Sequence, residues 1–487
     1  MNGEQIHLAL VAHTNVGKTS LARTLLRRDI GVVRDEPHVT DAAEGQTLIE
    51  TPGGDALLLW DTPGFGDSAR LLKRLRASGN PLGWLLTQVW DRIVDRPFYC
   101  SQQAIRAARD RSDVILYLVN ASEDPASAAY VEMEMQILAW LDKPVLLLLN
   151  QTGAPRPAEA EAAEATAWRE HLRSFDCVRG ALTLDAFMRC WVQEDELLGA
   201  VQEVLPPAKQ PAFGRLRAAW RARNLEIYTA AAAILSEQLA RLAADREIVS
   251  ATGLRERAER WLGTVVRGGQ ADAAEEQAMR RLAQRLDAAV LEATERLIAL
   301  HGLSGQAAGE IHARMTEQFR VTTPADVGKT SLLGGIATGA LGGLTADLAA
   351  GGLTFGAGAL IGGVLGAMGA GGAAHAYNLA RGTETGQVAW SEDFLTARCE
   401  SALLRYLAVA HFGRGRGDWR AGEYPAHWST VCRDVVAPHQ AVLYEIWQSL
   451  SAQPPDPFAR DRLRLLVQEL MTDALVRLYP ASRALFD

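Results

Sequence analysis

A glycine, a cation and a hydroxyl follow one another at Gly17, Lys18 and Thr19, closing the run Ala12-His13-Thr14-Asn15-Val16-Gly17-Lys18-Thr19-Ser20. That succession suits the binding of a polyphosphate. Backbone N–H groups of Asn15, Val16, Gly17 and Ser20 would hold phosphate oxygens, Lys18 would reach the β- and γ-phosphates, and the Thr19 hydroxyl would ligate Mg²⁺. The chemistry needs a strand before the loop and a helix after it. The mostly apolar run Ile6 to Val11 supplies the first and the helical pattern Leu21 to Leu26 the second. The helix N-terminus adds a partial positive charge. The first glycine of the usual pattern is replaced by Ala12, which is tolerable where φ is negative. Val327-Gly328-Lys329-Thr330-Ser331 repeats the same letters, but it follows Pro324 and no strand, and is read as coincidence.

Asp61-Thr62-Pro63-Gly64 ends a second apolar run, Ala56 to Trp60. An aspartate at the end of a strand can support Mg²⁺ through a water, and a glycine there lets a backbone N–H approach the γ-phosphate. The turn Pro52-Gly53-Gly54-Asp55 separates this strand from Gln46 to Glu50, which predicts a β-hairpin. Thr40, in the intervening loop, is the candidate for closing over Mg²⁺ and γ-phosphate; an ordinary loop threonine is the other reading. Lys18, Thr40 and Gly64 are thus the candidate catalytic groups, with Thr19, Thr40 and Asp61 as candidate metal ligands.

Asn15-Val16-Gly17-Lys18-Thr19, then Thr40, then Asp61-Thr62-Pro63-Gly64 resembles the Era and TrmE group of bacterial P-loop GTPases over residues 1 to about 205. The resemblance implies GTP and Mg²⁺ as ligands. It also implies that Asn15 can help bind a potassium ion beside the phosphates. The residue after Gly64 is Phe65, so the water-positioning glutamine of Ras-like proteins is absent. Catalysis then has to come from a cation, a partner or a residue elsewhere.

The base-recognition motif departs from the group. The apolar run Pro144 to Leu149 leads into Asn150-Gln151-Thr152-Gly153, where the group has Asn-Lys-x-Asp. Asn150 matches; Gly153 lacks the carboxylate that would accept two hydrogen bonds from the guanine edge. Losing such a contact forfeits roughly 1.5–3 kcal/mol, so the expectation is a weak guanine preference. Leu182-Thr183-Leu184-Asp185-Ala186 is a candidate for the last strand and the loop under the base.

At 487 residues the chain is too long for one core, and two to four domains are expected. A net charge of −8 argues against a general nucleic-acid binder. Arg70, Lys73, Arg74 and Arg76 form one local basic patch, and Arg215, Arg217, Arg221 and Arg223 another. Both read as solvated helix faces. Five scattered cysteines give no metal spacing and suit a reducing compartment. The N-terminus shows no secretory signal, so a cytoplasmic location is expected.

Apolar runs alternating with helical patterns predict an α/β domain over 1–205, with a mostly parallel sheet. Phe65 to Asp113 is longer than a compact GTPase needs and reads as an inserted helical element, either a nucleotide-sensing lever or a passive insertion. Pro206-Pro207 marks a linker. An all-α half follows. Residues 206–330 carry two apolar stripes, from Leu225 to Leu242 and from Met279 to Leu300, which predict an intramolecular bundle or a coiled-coil stalk and dimer interface. Residues 331–376 form a glycine-rich helical hairpin, with 15 glycines among the 44 residues Ser331 to Ala374. Gly335, Gly339 and Gly343, and again Gly358, Gly362 and Gly366, recur every four residues, a spacing that lets helices approach closely. Leu348 to Ala374 is uncharged and long enough to span a bilayer. The hairpin is therefore either membrane-associating, placing the chain at the inner membrane, or a tightly packed soluble core. Residues 377–487 form a further helical domain rich in tryptophan. This arrangement resembles Era-like GTPases that carry a C-terminal domain of unknown function with a glycine-rich insert. The expected function is a GTP-hydrolysing switch coupled to the helical half and to a protein partner or a second copy, with no specific nucleic acid. The alternative is a membrane-active or pore-forming protein whose P-loop domain controls assembly.

Overall fold

The computed structural model describes residues 3–27, 44–77, 79–81, 83, 95–152, 156–186, 189–250, 273–303, 377–381, 385–412 and 425–487. Thr40, Gly153, the second Gly-Lys-Thr copy and the glycine-rich hairpin lie outside the described residues. The chain divides into two compact units. The first comprises Met1–Glu226, Ala410–Gly417 and Leu478–Asp487; the second comprises Ile227–Val409 and Asp418–Arg477.

The first unit is built on a six-stranded sheet. Its strands are β1 (Gln5–Ala12), β2 (Glu44–Glu50), β3 (Ala56–Asp61), β4 (Val114–Asn120), β5 (Val145–Asn150) and β6 (Val178–Thr183). The order is β2-β3-β1-β4-β5-β6, with every pair parallel except the β2–β3 hairpin. Burial explains the sequence pattern. All six residues of β5, and all but the last of β4, are buried, so these strands read as unbroken apolar runs. β3 alternates because it lies toward the edge. Helices α1 (Lys18–Leu26), α2 (Ser68–Arg76), α3 (Arg96–Arg111), α4 (Ala129–Ala139), α5 (Ala158–His171) and α6 (Trp191–Val204) connect the strands or follow the last one. Among the described residues, the segment between Phe65 and Asp113 holds two helices, α2 and α3.

Helix α7 (Gln210–Ala244) begins in the first unit and ends in the second. Its basic patch is engaged within the fold: Arg215 pairs with Asp55, and Arg217 and Arg221 both grip Asp195. Three of the four arginines of the patch are therefore engaged in ion pairs within the fold rather than being simply solvated.

In the second unit, Tyr228, Ala232, Leu235, Leu239 and Leu242 of α7 are buried, as are Met279, Leu282, Leu286, Ala293 and Leu297 of α8 (Ala273–Leu300). The Tyr228 hydroxyl donates to the Gln468 carbonyl at 2.7 Å, so the stripe is covered within the chain, as a bundle requires. The helical C-terminal half also carries a feature that its sequence pattern does not announce. Arg246–Ser250, Tyr377–Arg381 and Thr385–Trp390 form a three-stranded antiparallel sheet, with the last strand in the middle. The first strand lies more than a hundred residues before its partner, which hides that pairing. Among the described residues, no helix is long and apolar enough to cross a membrane.

Asp287, on α8, keeps a buried Oδ1 with no hydrogen-bond partner among the described residues. Burial raises its carboxyl from 3.8 to about 7. The folded chain therefore holds this proton more tightly than the unfolded chain. The stability it contributes is whole below about pH 4 and is lost as the pH rises through about 7. We expect Asp287→Asn to raise the denaturation midpoint at about pH 8 and to change it little near pH 4. Urea titrations at the two pH values check this; equal shifts at both would contradict it.

Candidate nucleotide site

The chain leaves β1 at Ala12 and must turn sharply to enter α1. Two residues take left-handed backbone angles to do so, Asn15 with φ 66° and Gly17 with φ 91°. Asparagine tolerates that region and glycine adopts it freely, which is a local reason for both residue types. Ala12 is not among the positive-φ residues, so its Cβ costs nothing there. A Cβ on Gly17 would also lie 2.6 Å from Asn150 Nδ2.

Lys18 is 6% exposed and donates to the His13 carbonyl at 3.3 Å, across the mouth of the loop. Burial lowers its pKa, against the pull of Asp61 and Glu134. The Thr19 hydroxyl donates to Asp61 Oδ2 at 2.6 Å, so these two candidate metal ligands meet, although 42 residues separate them. Both present oxygen, the donor that a hard cation such as Mg²⁺ takes, and Mg²⁺ is bound through few side chains plus phosphate and water. Among the described residues, no group of three or more His, Cys, Asp or Glu side chains could hold a metal ion.

Gly64 closes the other side. A Cβ there would stand 3.0 Å from both Lys18 Nζ and Thr14 Cα, so only a glycine allows this approach without displacement. Phe65 is anchored by its backbone: its N–H donates to the Ala12 carbonyl at 2.9 Å and its carbonyl accepts from Thr14 N at 3.1 Å. Its ring is fully buried in the core, facing away from any role in orienting water.

Asn150, at the end of β5, ties the loop to the rest of the sheet. Its Nδ2 donates to the Val16 carbonyl at 2.6 Å and its Oδ1 accepts from Ala186 N at 2.7 Å. Gln151, with φ 60°, lays its amide on the Asn15 carbonyl at 3.1 Å. The segment Leu182 to Ala186 therefore does lie beside Asn150; its strand part ends at Thr183 and Leu184 to Ala186 form the loop. Lys18, Thr19, Asp61, Gly64, Asn150 and the loop Asn15 to Ser20 are gathered in one place. Thr40 cannot be located in it.

Glu134 stands in no sequence motif yet is central to the site's packing. This residue of α4 is wholly buried and takes three partners. His13 Nδ1 lies 2.7 Å and Ser68 Oγ 2.5 Å from Oε1, and the Tyr117 hydroxyl lies 2.6 Å from Oε2. An ionised carboxylate only accepts, so in that state all three donate. Glu134 thereby joins the phosphate loop (His13), the central strand (Tyr117) and the start of the helix after Gly64 (Ser68). Burial, followed by this carboxylate, pushes the Tyr117 pKa well above its ordinary value. The available signal was its spacing: Glu134 falls on the same face as Val131 and Leu138, an acid on an apolar stripe.

Two families match successive parts of the chain. Residues 174–459 match the family described as "Domain of unknown function (DUF3482)", which is more than half of the chain. The chain belongs to that family. In this DUF3482-family chain, residues 7–151 match the family described as "50S ribosome-binding GTPase". The N-terminal region is an Era-like P-loop GTPase domain. GTPase Era of Heliobacterium modesticaldum (strain ATCC 51547 / Ice1) is 23% identical over 169 residues, covering 34% of this chain and 46% of that protein. The chain thus spans about half the length of the curated relative it matches. Among solved structures, Era in complex with MgGDPNP and a segment of 16S ribosomal RNA is 15% identical, covering 62% of this chain and 90% of its own, at a TM-score of 0.31. An Aquifex aeolicus Era variant bound to GDP·AlF4⁻ is also 15% identical, covering 61% of this chain and 99% of its own, at a TM-score of 0.31.

Replacing Glu134 by alanine would leave two buried donors, Ser68 and Tyr117, and the half-buried His13 without their acceptor. We expect Glu134→Ala to lower the unfolding free energy by about 2–4 kcal/mol. Glu134→Gln, which keeps one acceptor oxygen, should cost less. Urea denaturation of the two variants checks the order; a wild-type midpoint in Glu134→Ala would contradict it.

Proposed function

We propose that this chain is a GTP-binding molecular switch that hydrolyses GTP with Mg²⁺, and that its nucleotide state is passed to the helical C-terminal half. The observation that carries the reading is the convergence of the Thr19–Asp61 hydrogen bond with Lys18 and Gly64 at the mouth of a loop whose backbone turns as phosphate binding requires. Mg²⁺, when bound, supplies charge neutralisation on the β- and γ-phosphates. Thr19 would hold it directly, Asp61 would support it, and Thr40, known only from sequence, is its further candidate ligand. Lys18 places a positive charge against the same phosphates. Its burial costs solvation that a polyphosphate would restore as charge pairing. The Gly64 N–H can approach the γ-phosphate.

Phosphoryl transfer to water is largely positioning and electrostatic stabilisation, so no covalent nucleophile is needed. The ring of Phe65 is committed to the core and cannot orient the attacking water. We therefore assign that part of the catalysis to a cation beside the phosphates, with Asn15 as its candidate ligand and potassium as the ion. The switch helix α2 starts beside Ser68, whose bond to Glu134 ties it to the phosphate loop through His13. That link supports the reading that the helix responds to the nucleotide. Helix α7 contributes residues to both units, which supports coupling to the C-terminal half. Membrane association of residues 331–374 and assembly with a second copy rest on the sequence pattern alone.

The test is a fluorescent-nucleotide titration together with phosphate release by the full chain, in potassium and in sodium salts. We expect Lys18→Ala to weaken GTP binding by about a hundredfold or more, the loss of one charge-assisted phosphate contact. We expect potassium to support faster turnover than sodium in the wild type. Unchanged affinity in Lys18→Ala would overturn the site, and equal rates in the two salts would overturn the cation's part in it.

A further inference from the structure

Gly153 has no side chain with which to read a base edge, yet a carboxylate stands beside its neighbour. Asp185 Oδ2 accepts from the Thr152 N–H at 2.8 Å and from the Thr152 hydroxyl at 3.1 Å. Asp185 is 4% exposed. The loop that carries it is clamped on both sides. Leu184 N donates to the Leu149 carbonyl at 3.1 Å, at the end of β5. Ala186 N donates to Asn150 Oδ1 at 2.7 Å, and the Ala186 carbonyl accepts from Thr24 Oγ1 of α1 at 2.7 Å. Asn150 in turn holds the Val16 carbonyl of the phosphate loop at 2.6 Å. The place of this carboxylate relative to the phosphate loop is therefore set by a continuous chain of short hydrogen bonds. A floating surface acid would not be fixed in this way.

We propose that Asp185 is the residue that selects the base, accepting the N1–H and 2-amino hydrogens of guanine in place of the acid that position 153 lacks. The inference rests on the reading of the phosphate loop as a GTP site and names what discriminates within it. Guanine presents two adjacent donors on that edge, which a carboxylate accepts side by side. Adenine presents a bare N1 acceptor there, which the carboxylate repels. Hypoxanthine keeps the N1–H and loses the amino group. Xanthine replaces the amino group by a carbonyl oxygen, a second repulsion. Both Thr152 bonds fall on Oδ2, so a side-by-side grip on the base edge would take the place of the longer of them, from the Thr152 hydroxyl. This reading reverses the expectation of weak guanine preference that follows from Gly153 alone.

The experiment is competition of GTP, ITP, XTP and ATP for a fluorescent guanine nucleotide on the full chain, wild type and Asp185→Asn, with a thermal melt of each. In the wild type, GTP should bind about tenfold or more tighter than ITP, and tighter still than XTP and ATP. In Asp185→Asn the amide oxygen still accepts from N1–H, while the amide N–H now donates to the xanthine oxygen. GTP should then weaken and XTP strengthen by about tenfold each, inverting their order. A wild type that binds GTP, ITP and XTP alike overturns the inference without any variant. So does an Asp185→Asn variant that melts like the wild type and keeps its GTP-to-XTP ratio, since Asp185 would then only brace the loop. A wild type that binds no nucleoside triphosphate overturns the nucleotide reading itself, and this inference with it.

Discussion

The hydrogen bond from Asn150 Nδ2 to the Val16 carbonyl, 2.6 Å long, joins the two ends of the candidate site. It can form only because Gly17 turns the chain at φ 91° and presents no Cβ, which would lie 2.6 Å from the same nitrogen. The turn starts α1 with Lys18 and Thr19 in its first positions. From there Thr19 finds Asp61 on one side, and the loop after β5 is held against β6 on the other. A larger residue at 17 would have to move Asn150 and, with it, the Ala186 backbone. The loop Asn15 to Ser20 and the loop at Asp185 are therefore one hydrogen-bonded structure rather than two neighbouring motifs.

A second constraint acts beneath the first. Glu134 is an acid placed without solvent between β4, α2 and the phosphate loop. A buried carboxylate is costly unless its acceptors are filled, and here three donors from three elements fill them. Such an arrangement fixes the start of α2 relative to His13 and makes that position sensitive to anything that moves the loop. Arg189 does similar work on the far side: it pairs with Glu194 at 2.7 Å while its guanidinium donates to the Thr24 carbonyl at 2.6 Å. The loop bearing Asp185 and this buried ion pair are thus both tied to Thr24 of α1.

Much of this was legible in the sequence, for physical reasons that differ from residue to residue. The phosphate loop was readable because glycine, lysine and threonine must be contiguous to do their work. The central strands were readable because burial on both faces leaves no polar alternation. The hairpin of β2 and β3 was readable from its Pro-Gly-Gly-Asp turn. Glu134 and Asp185 were not, because their roles come from tertiary neighbours 121 and 33 residues away in sequence. The small sheet in the second unit was hidden in part for the same reason, since Arg246–Ser250 pairs with a strand more than a hundred residues away. Phe65 could be seen to break the family's catalytic pattern, but only packing shows that its ring is committed to the core.

We propose that one site, spanning the phosphate loop, the strand end at Asp61 and the loop at Asp185, takes a guanine nucleotide. Amide hydrogen exchange of the full chain, compared without nucleotide, with GDP and with a non-hydrolysable GTP analogue in Mg²⁺, tests it most directly. The account predicts slowed exchange at residues 13–20, 61–67 and 184–186 together on binding either nucleotide, with added protection at 61–67 for the triphosphate alone. Exchange at these three segments that is indifferent to nucleotide, or protection confined to another part of the chain, would contradict it.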